Sequence, residues 1–232
     1  CTGCARCDEV CRFEAILEPA AGETVYAVDP LGCEGCAACV YQCPTEAIRM
    51  EPQVAGQWFR SDSRYGPLFH AALRPAQENS GKLVMQVKRQ ARQLAVAEGY
   101  EAMLLDGPPG IGCPVISAIS EADLALIVAE PSAAGIHDME RVLEMAAHFR
   151  LPALVCINKA DIHPDGTAQI ESYCRDKGID VVGRIPFDRV VTDAMVRGEL
   201  VTAYQPASPA SVALEAVWRR VATRLLEVQS RE

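Results

Sequence analysis

The 232-residue sequence has no long run of lysine or arginine, and its 31 acidic side chains outnumber the 22 basic ones. The formal net charge of −9 argues against nucleic acid or an anionic membrane as the main partner, because both are bound by basic surfaces. A signal peptide and a membrane-spanning apolar stretch are also lacking. These absences predict a cytoplasmic protein with no nucleic-acid partner and no membrane span.

Cysteine is abundant, and most of the 11 cysteines belong to two copies of one motif. Each copy has the spacing Cys-x2-Cys-x2-Cys-x3-Cys, which is typical of iron–sulfur ligation. In the two-cluster arrangement, the fourth cysteine of each motif binds the other motif's cluster. The spacing therefore predicts two [4Fe-4S] clusters, the first held by Cys1, Cys4, Cys7 and Cys43, the second by Cys33, Cys36, Cys39 and Cys11.

Zinc and disulfides are weaker explanations of these cysteines. Structural zinc sites usually have well-separated Cys-x2-Cys pairs, whereas here four cysteines crowd into eleven residues, twice. Disulfide frameworks are expected in small secreted chains, and the cysteine count here is odd.

The similarity between the two copies extends past the cysteines. One position differs, because the first copy has Arg12 where the second copy has Pro44. Five other residues recur 32 positions later, namely Gly3, Ala5, Glu14, Ala15 and Ile16, which return as Gly35, Ala37, Glu46, Ala47 and Ile48. Duplication of half of a ferredoxin explains this repeat.

The length and the 50% hydrophobic content allow a second domain with its own core. We expect a ferredoxin-like α+β domain at 1–52 and a nucleotide-binding domain at 53–232. Short apolar runs alternate with helical periodicity in the second part, which predicts a parallel α/β sheet. Strands are predicted near 102–105, 124–129, 153–157 and 180–185, helices at 82–98, 136–149, 166–177 and 209–228, and a strand or hairpin within 58–80.

A carboxylate followed by a Gly/Pro loop ends the first of these predicted strands. Asp106 has the position of a Walker B aspartate that holds Mg²⁺, and the loop after it has the form of switch II. An ordinary strand-to-helix turn is the competing explanation. The loop residues predicted to approach the nucleotide are Gly107, Pro108, Pro109 and Gly110.

A second candidate nucleotide segment follows the predicted strand at 153–157. Asn158, Lys159 and Asp161 form an Asn-Lys-x-Asp tetrad whose amide, aliphatic stem and carboxylate suit a purine base. The turn after the next strand contains Pro186 and Asp188 and is predicted to close over the base.

These segments together resemble the MinD-superfamily P-loop ATPases that carry an inserted ferredoxin domain. The resemblance rests on Tyr65-Gly66-Pro67, on Glu78-Asn79-Ser80-Gly81-Lys82-Leu83-Val84, on the run from Asp106 to Pro114, on Asn158–Asp161 and on Ile185–Asp188. It covers nearly the whole chain and implies a doubly wound parallel sheet, Mg-ATP as ligand, a homodimer, and a redox partner protein or apo iron–sulfur acceptor.

The same resemblance makes Cys113 a candidate cluster ligand, because the nitrogenase iron protein of this wider group has a cluster-binding cysteine in the corresponding loop. A structural cysteine is the competing explanation, so Cys113 is a minor candidate for an interfacial ligand.

The chain departs from the family in lacking Gly-x4-Gly-Lys-[Ser/Thr]. Its only Gly-Lys, Gly81-Lys82, has Ala76 and Leu83 at the other two motif positions, so we predict a helix start there. Family members carry the P-loop before the ferredoxin insert. The resemblance therefore implies a chain truncated before Cys1, with an incomplete sheet and with ATPase activity only in the intact protein.

The leading functional hypothesis is a nucleotide switch that gates electron transfer or cluster delivery by the two clusters. A ferredoxin-type electron carrier on a non-hydrolysing scaffold is one alternative. An assembly scaffold or carrier that hands clusters to apo-enzymes is the other.

Overall fold

The chain divides into two units, Cys1–Glu78 and Asn79–Glu232. The structure is a computed structural model that describes residues 1–75, 77 and 81–229. Glu78, Asn79 and Ser80 of the sequence motif, and Ala76, lie outside the described residues. The domain boundary predicted after residue 52 stays a prediction.

The cysteine motifs fold into two short helices and a two-residue ladder. Helix α1 is Arg6–Glu9 and α2 is Ala38–Gln42, and each lies within one motif. Strands β1 (Ile16–Leu17) and β2 (Ala27–Val28) pair antiparallel. A turn precedes β2, in which Glu23 N donates to Ala20 O at 2.9 Å.

The backbone repeats the duplication seen in the sequence. Gly3 and Gly35 have φ of 69° and 65°, and Ala5 and Ala37 have φ of 61° and 63°. Left-handed backbone is unfavourable for alanine, so its recurrence at matching positions shows one loop conformation used twice.

A β-hairpin follows the cysteine motifs. Strands β3 (Gly56–Ser63) and β4 (Gly66–Leu73) pair antiparallel along their whole length. Phe59 lies opposite His70, and the two rings stack with centroids 5.2 Å apart. The hairpin predicted within 58–80 is thus present.

The second unit contains a parallel sheet of three strands in the order β5-β6-β7. Three of the predicted strands form it: β5 (Ala125–Ala129), β6 (Ala153–Asn158) and β7 (Asp180–Ile185). The helices are α3 (Lys82–Glu98), α4 (Cys113–Ile119), α5 (Ala133–His148), α6 (Pro164–Lys177), α7 (Arg189–Val196), α8 (Val201–Tyr204) and α9 (Pro209–Gln229). Across the part of the chain that the structure describes, no helix is long and apolar enough to cross a bilayer.

Helices cover both faces of the sheet, as expected for a doubly wound fold. On one face Met139 of α5 and Ile170 of α6 pack with Val155 and Ile157 of β6. On the other face Val217 and Val221 of α9 pack with Leu154 and Cys156, also of β6. The middle strand is therefore buried from both sides, which explains its continuous apolar sequence.

The prediction of a strand at 102–105 is wrong. No strand among the described residues pairs with this segment, and Leu104 is 87% exposed. An apolar run becomes a parallel strand only when neighbouring strands supply partners for its backbone N–H and C=O groups. The apolar pattern alone therefore predicted one strand that the described part of the chain does not form.

Candidate functional site

Four cysteines line one cavity in the first unit: Cys1, Cys4, Cys7 and Cys43. The first three come from the first motif and the fourth from the end of the second motif. This is the set that the sequence assigns to the first cluster. The cavity encloses about 470 Å³, part of it open to solvent. Four thiols around one opening are the donor set that a [4Fe-4S] cluster requires, so the residues fit this group.

The four thiols differ in their surroundings. Cys1 and Cys4 are exposed, whereas Cys7 is buried. Burial raises the pKa of the Cys7 thiol, with smaller contributions from the nearby Cys39 and Cys4. Because the thiolate is the ligating form, metal binding must release a proton from Cys7.

Cys43 has the opposite environment because hydrogen-bond donors surround its sulfur. Ala47 N donates to Cys43 Sγ at 3.2 Å, and the Thr45 hydroxyl lies 3.7 Å from the same sulfur. These bonds, chiefly the one from Ala47, lower the pKa of Cys43. The chain therefore favours a thiolate at this position.

The second predicted cysteine set is partly brought together. Burial raises the pKa of Cys39, and the Cys33 and Cys36 thiols are close enough to raise it further. Cys11 Sγ accepts a hydrogen bond from Ala15 N at 3.4 Å, the counterpart of the bond from Ala47 to Cys43.

No three His, Cys, Asp or Glu side chains converge on a single metal ion within residues 1–75, 77 and 81–229. A cubane does not require such convergence, because each cysteine binds a different iron atom.

The predicted base-binding segments meet at the carboxyl edge of the sheet. Ala160 N donates to Ile185 O at 3.0 Å, and Phe187 N donates to Asp161 Oδ1 at 2.7 Å. These two bonds join the Asn-Lys-x-Asp loop after β6 to the Pro186–Asp188 turn after β7. Asn158 Oδ1 accepts from Lys159 N at 3.0 Å within the same loop.

Several charged side chains of this edge are engaged with the protein itself. Lys159 Nζ lies 2.6 Å from Glu130 Oε1, and both side chains are partly exposed. Asp188 caps the N-terminus of α7, since its Oδ1 accepts from Val190 N at 3.0 Å. Glu130 was not predicted from the sequence, although a carboxylate directly after an apolar predicted strand was the available signal.

Among the described residues, no hydrogen bond or ion pair joins Asp106 or its loop to this edge. Asp106 is exposed and makes no hydrogen bond or ion pair with them. Gly107, Pro108, Pro109 and Gly110 are irregular chain that leads into α4. Cys113 is the first residue of α4 and is exposed.

The helix after this loop is fixed to α3. As predicted, Gly81-Lys82 begins a helix, because Lys82 is the first residue of α3. Gly81 lies so close to α4 that an added Cβ would come within 2.5 Å of Ser117 Oγ. Lys88 of α3 is 5% exposed, and its Nζ donates to Ala118 O and Ser120 O at the end of α4. The contribution of Lys88 was not predicted.

Two cysteines outside the motifs are core residues. Cys156 lies in β6 and Cys174 in α6, and both are fully buried. Burial raises the pKa of each thiol to about 11. Neither side chain is available as a ligand.

Two protein families match the chain, one in each half. Residues 1–48 match the 4Fe-4S dicluster domain, and residues 80–222 match the NUBPL iron-transfer P-loop NTPase, a ParA-type family.

Individual relatives agree with the family matches. An uncharacterised protein of Methanocaldococcus jannaschii is 32% identical over 159 residues, which are 68% of this chain and 53% of that protein. The iron–sulfur cluster carrier protein of Pyrococcus horikoshii is 25% identical over 55% of this chain and 47% of its own length. The chain thus spans about half the length of these curated relatives.

The solved structure of the MinD cell division protein of Aquifex aeolicus is similar in fold. It has a TM-score of 0.53 and 23% identity, covering 71% of this chain and 68% of that chain.

Proposed function

Because the chain belongs to the NUBPL iron-transfer P-loop NTPase family and carries a 4Fe-4S dicluster domain, we propose that it binds two [4Fe-4S] clusters and delivers them under the control of a nucleotide. The cavity lined by Cys1, Cys4, Cys7 and Cys43 supports this proposal most directly. It offers four thiols from two motifs around one opening.

Delivery is favoured by the exposure of the ligands. Cys1, Cys4, Cys33 and Cys36 are all exposed. An acceptor thiolate can reach an exposed cluster and replace the donor's cysteines one at a time, whereas a buried cluster is protected from such exchange. The proposed partner is therefore an apo iron–sulfur protein.

The nucleotide is proposed to act through the carboxyl edge of the second unit. Ligands of open α/β sheets bind outside the carboxyl ends of the strands. Asn158, Lys159, Asp161, Pro186 and Asp188 lie at that edge and are proposed to bind the base of Mg-ATP. Asp106, with Gly107–Gly110, is proposed to hold the Mg²⁺ and to change conformation with the phosphates. A homodimer formed around the nucleotide is part of the same proposal.

A second candidate function is electron transfer to a redox partner. The packing of α1 against α2 favours it, because these helices bring the two cysteine motifs side by side within one unit. Two neighbouring clusters suit the passage of electrons through the unit. In this case the iron stays on the chain and the partner receives only electrons.

The cluster content is tested by anaerobic reconstitution of the chain with iron and sulfide. We expect about eight iron atoms per chain, as two cubane clusters require. Iron and acid-labile sulfide assays with EPR of the reduced protein measure it. A stable content of one zinc per motif with no cubane signal would contradict the proposal.

Mixing experiments separate delivery from electron transfer. The full-length protein, purified anaerobically, is incubated with an apo-ferredoxin, with and without Mg-ATP, and then separated from it. Delivery moves iron to the acceptor at a rate that Mg-ATP changes. Retention of all iron on the chain, with reduction of an added holo-acceptor, would instead select the electron-transfer function.

A further inference from the structure

The duplicated halves are alike in backbone but not in what surrounds the sulfur of their fourth cysteine. Cys11 and Cys43 occupy equivalent places 32 residues apart, and each accepts a backbone hydrogen bond, from Ala15 N or from Ala47 N. The backbone N–H groups of Thr45 and Ile48 also interact with the Cys43 sulfur. Only Cys43 also has a side-chain hydroxyl near its sulfur, that of Thr45 at 3.7 Å. The residue equivalent to Thr45 in the first half is Phe13, which has no donor.

When Cys43 is a cluster ligand, its sulfur is a thiolate and can only accept. The Thr45 hydroxyl must then be the donor of this hydrogen bond. Thr45 also lines the cavity of Cys1, Cys4, Cys7 and Cys43, so it belongs to the surroundings of this set.

Hydrogen bonds to ligand sulfurs raise the reduction potential of an iron–sulfur cluster. Reduction adds one electron from an external one-electron donor and hence one negative charge. A donor directed at the sulfur stabilises that charge.

We infer that Thr45 makes the two cluster sites unequal, so that the site of Cys1, Cys4, Cys7 and Cys43 has the higher reduction potential and holds the first electron that enters the chain. The inference rests on the cluster binding in the proposed function. It also gives the direction of electron transfer within the chain. An electron that arrives at the site of Cys33, Cys36, Cys39 and Cys11 passes to the site of Cys1, Cys4, Cys7 and Cys43, and one negative charge moves with it.

Each site also has one arginine beside it. Arg6 lines the cavity of the first set, and Arg12 directly follows Cys11 of the second set. Both guanidinium groups are exposed, so solvent and salt screen their effect. The Thr45 hydroxyl is in contact with the ligand sulfur and acts at much shorter range.

The repeat supplies a reciprocal pair of variants for the test. Thr45→Val removes the hydroxyl with little change of shape, and Phe13→Thr places a hydroxyl at the equivalent position of the other half. Thr45→Ser keeps the donor and is the matched control.

The experiment is an EPR-monitored redox titration of the reconstituted chain with dithionite under anaerobic conditions. We expect two reduction steps in the wild type. Thr45→Val shifts the higher step to lower potential and leaves the lower step in place, Phe13→Thr shifts the lower step upward, and Thr45→Ser shifts neither step appreciably. Since Thr45 is exposed, water replaces part of the lost bond, and the direction of each shift is the diagnostic result.

Three outcomes would overturn the inference: one common step for both clusters in the wild type, an unchanged pair of steps in Thr45→Val, or equal shifts of both steps. A chain that takes up no cluster is a different result, because the iron content, measured first, then contradicts the proposed function itself.

Discussion

At the scale of single residues, cysteine spacing was the most informative part of the sequence. It grouped Cys1, Cys4 and Cys7 with Cys43, and these four side chains line one cavity. The Thr45 hydroxyl and the Glu130 carboxylate were missed, because their importance depends on which atom lies opposite in space. Comparison of the two halves position by position would have shown that Thr45 replaces Phe13, but not that its hydroxyl faces a sulfur.

The exchange of the fourth ligand between motifs can be tested with alanine variants. If Cys43 binds the same cluster as Cys4, Cys43→Ala and Cys4→Ala each leave about four iron atoms per chain, and the double variant leaves about four as well. Iron analysis after anaerobic reconstitution measures this.

The matched control is the pair Cys36→Ala with Cys43→Ala. These residues are assigned to different clusters, so this double variant is expected to lose nearly all iron. The opposite pattern, with loss of all iron only in the Cys4/Cys43 pair, would show that each motif binds its own cluster.

At the scale of elements, the sequence predicted the long helices and three of the four strands of the second domain, and it was wrong for the strand at 102–105. Helix α3 begins and ends at the predicted residues because its periodicity and its glycines at 81 and 99 are local signals. The run at 102–105 is as apolar as the runs that form β5, β6 and β7, yet whether such a run becomes a strand depends on residues distant in the sequence. The link between α3 and α4 through Lys88 is likewise tertiary and has no sequence signature.

Lys88→Met tests how strongly α3 holds α4. The variant keeps the apolar stem but leaves the Ala118 and Ser120 carbonyls without their donor. We expect a loss of about 1–3 kcal/mol in the free energy of unfolding, the usual cost of an unsatisfied buried acceptor. Urea unfolding followed by far-UV circular dichroism measures it.

Arg92→Met is the control for this variant, since Arg92 of α3 pairs with Glu121, which lies just after α4, but with both side chains exposed. Its cost is expected to stay below about 1 kcal/mol. Equal losses in the two variants would mean that the burial of Lys88 does not increase its contribution to the free energy of unfolding.

At the scale of the whole molecule, the two units differ in what stabilises them. The second unit has a core on each face of its sheet. Among the described residues of the first unit, the only buried apolar side chains are Cys7, Ala15 and Ile16. So small a core contributes little to stability, and we expect the proposed clusters to supply much of it.

Removal of the clusters is therefore expected to unfold only part of the chain. After anaerobic iron chelation, peptides from residues 1–48 should lose protection in hydrogen exchange followed by mass spectrometry, while peptides from 153–185 should keep theirs. The cluster-loaded protein is the control. Unchanged protection at 1–48 would show that the unit is stable without iron.

The hairpin of β3 and β4 has a consequence for the solution behaviour of the protein. Within the described part of the chain, each strand pairs only with the other, so both outer edges present unpaired backbone groups over eight residues. Such edges are templates for intermolecular strand addition, and Trp58 and Leu68 add apolar surface. Arg60 and Asp62 place charge along β3 and oppose edge-to-edge aggregation. Neutral substitutions at these two positions are therefore expected to promote intermolecular strand pairing, which light scattering and thioflavin T fluorescence measure.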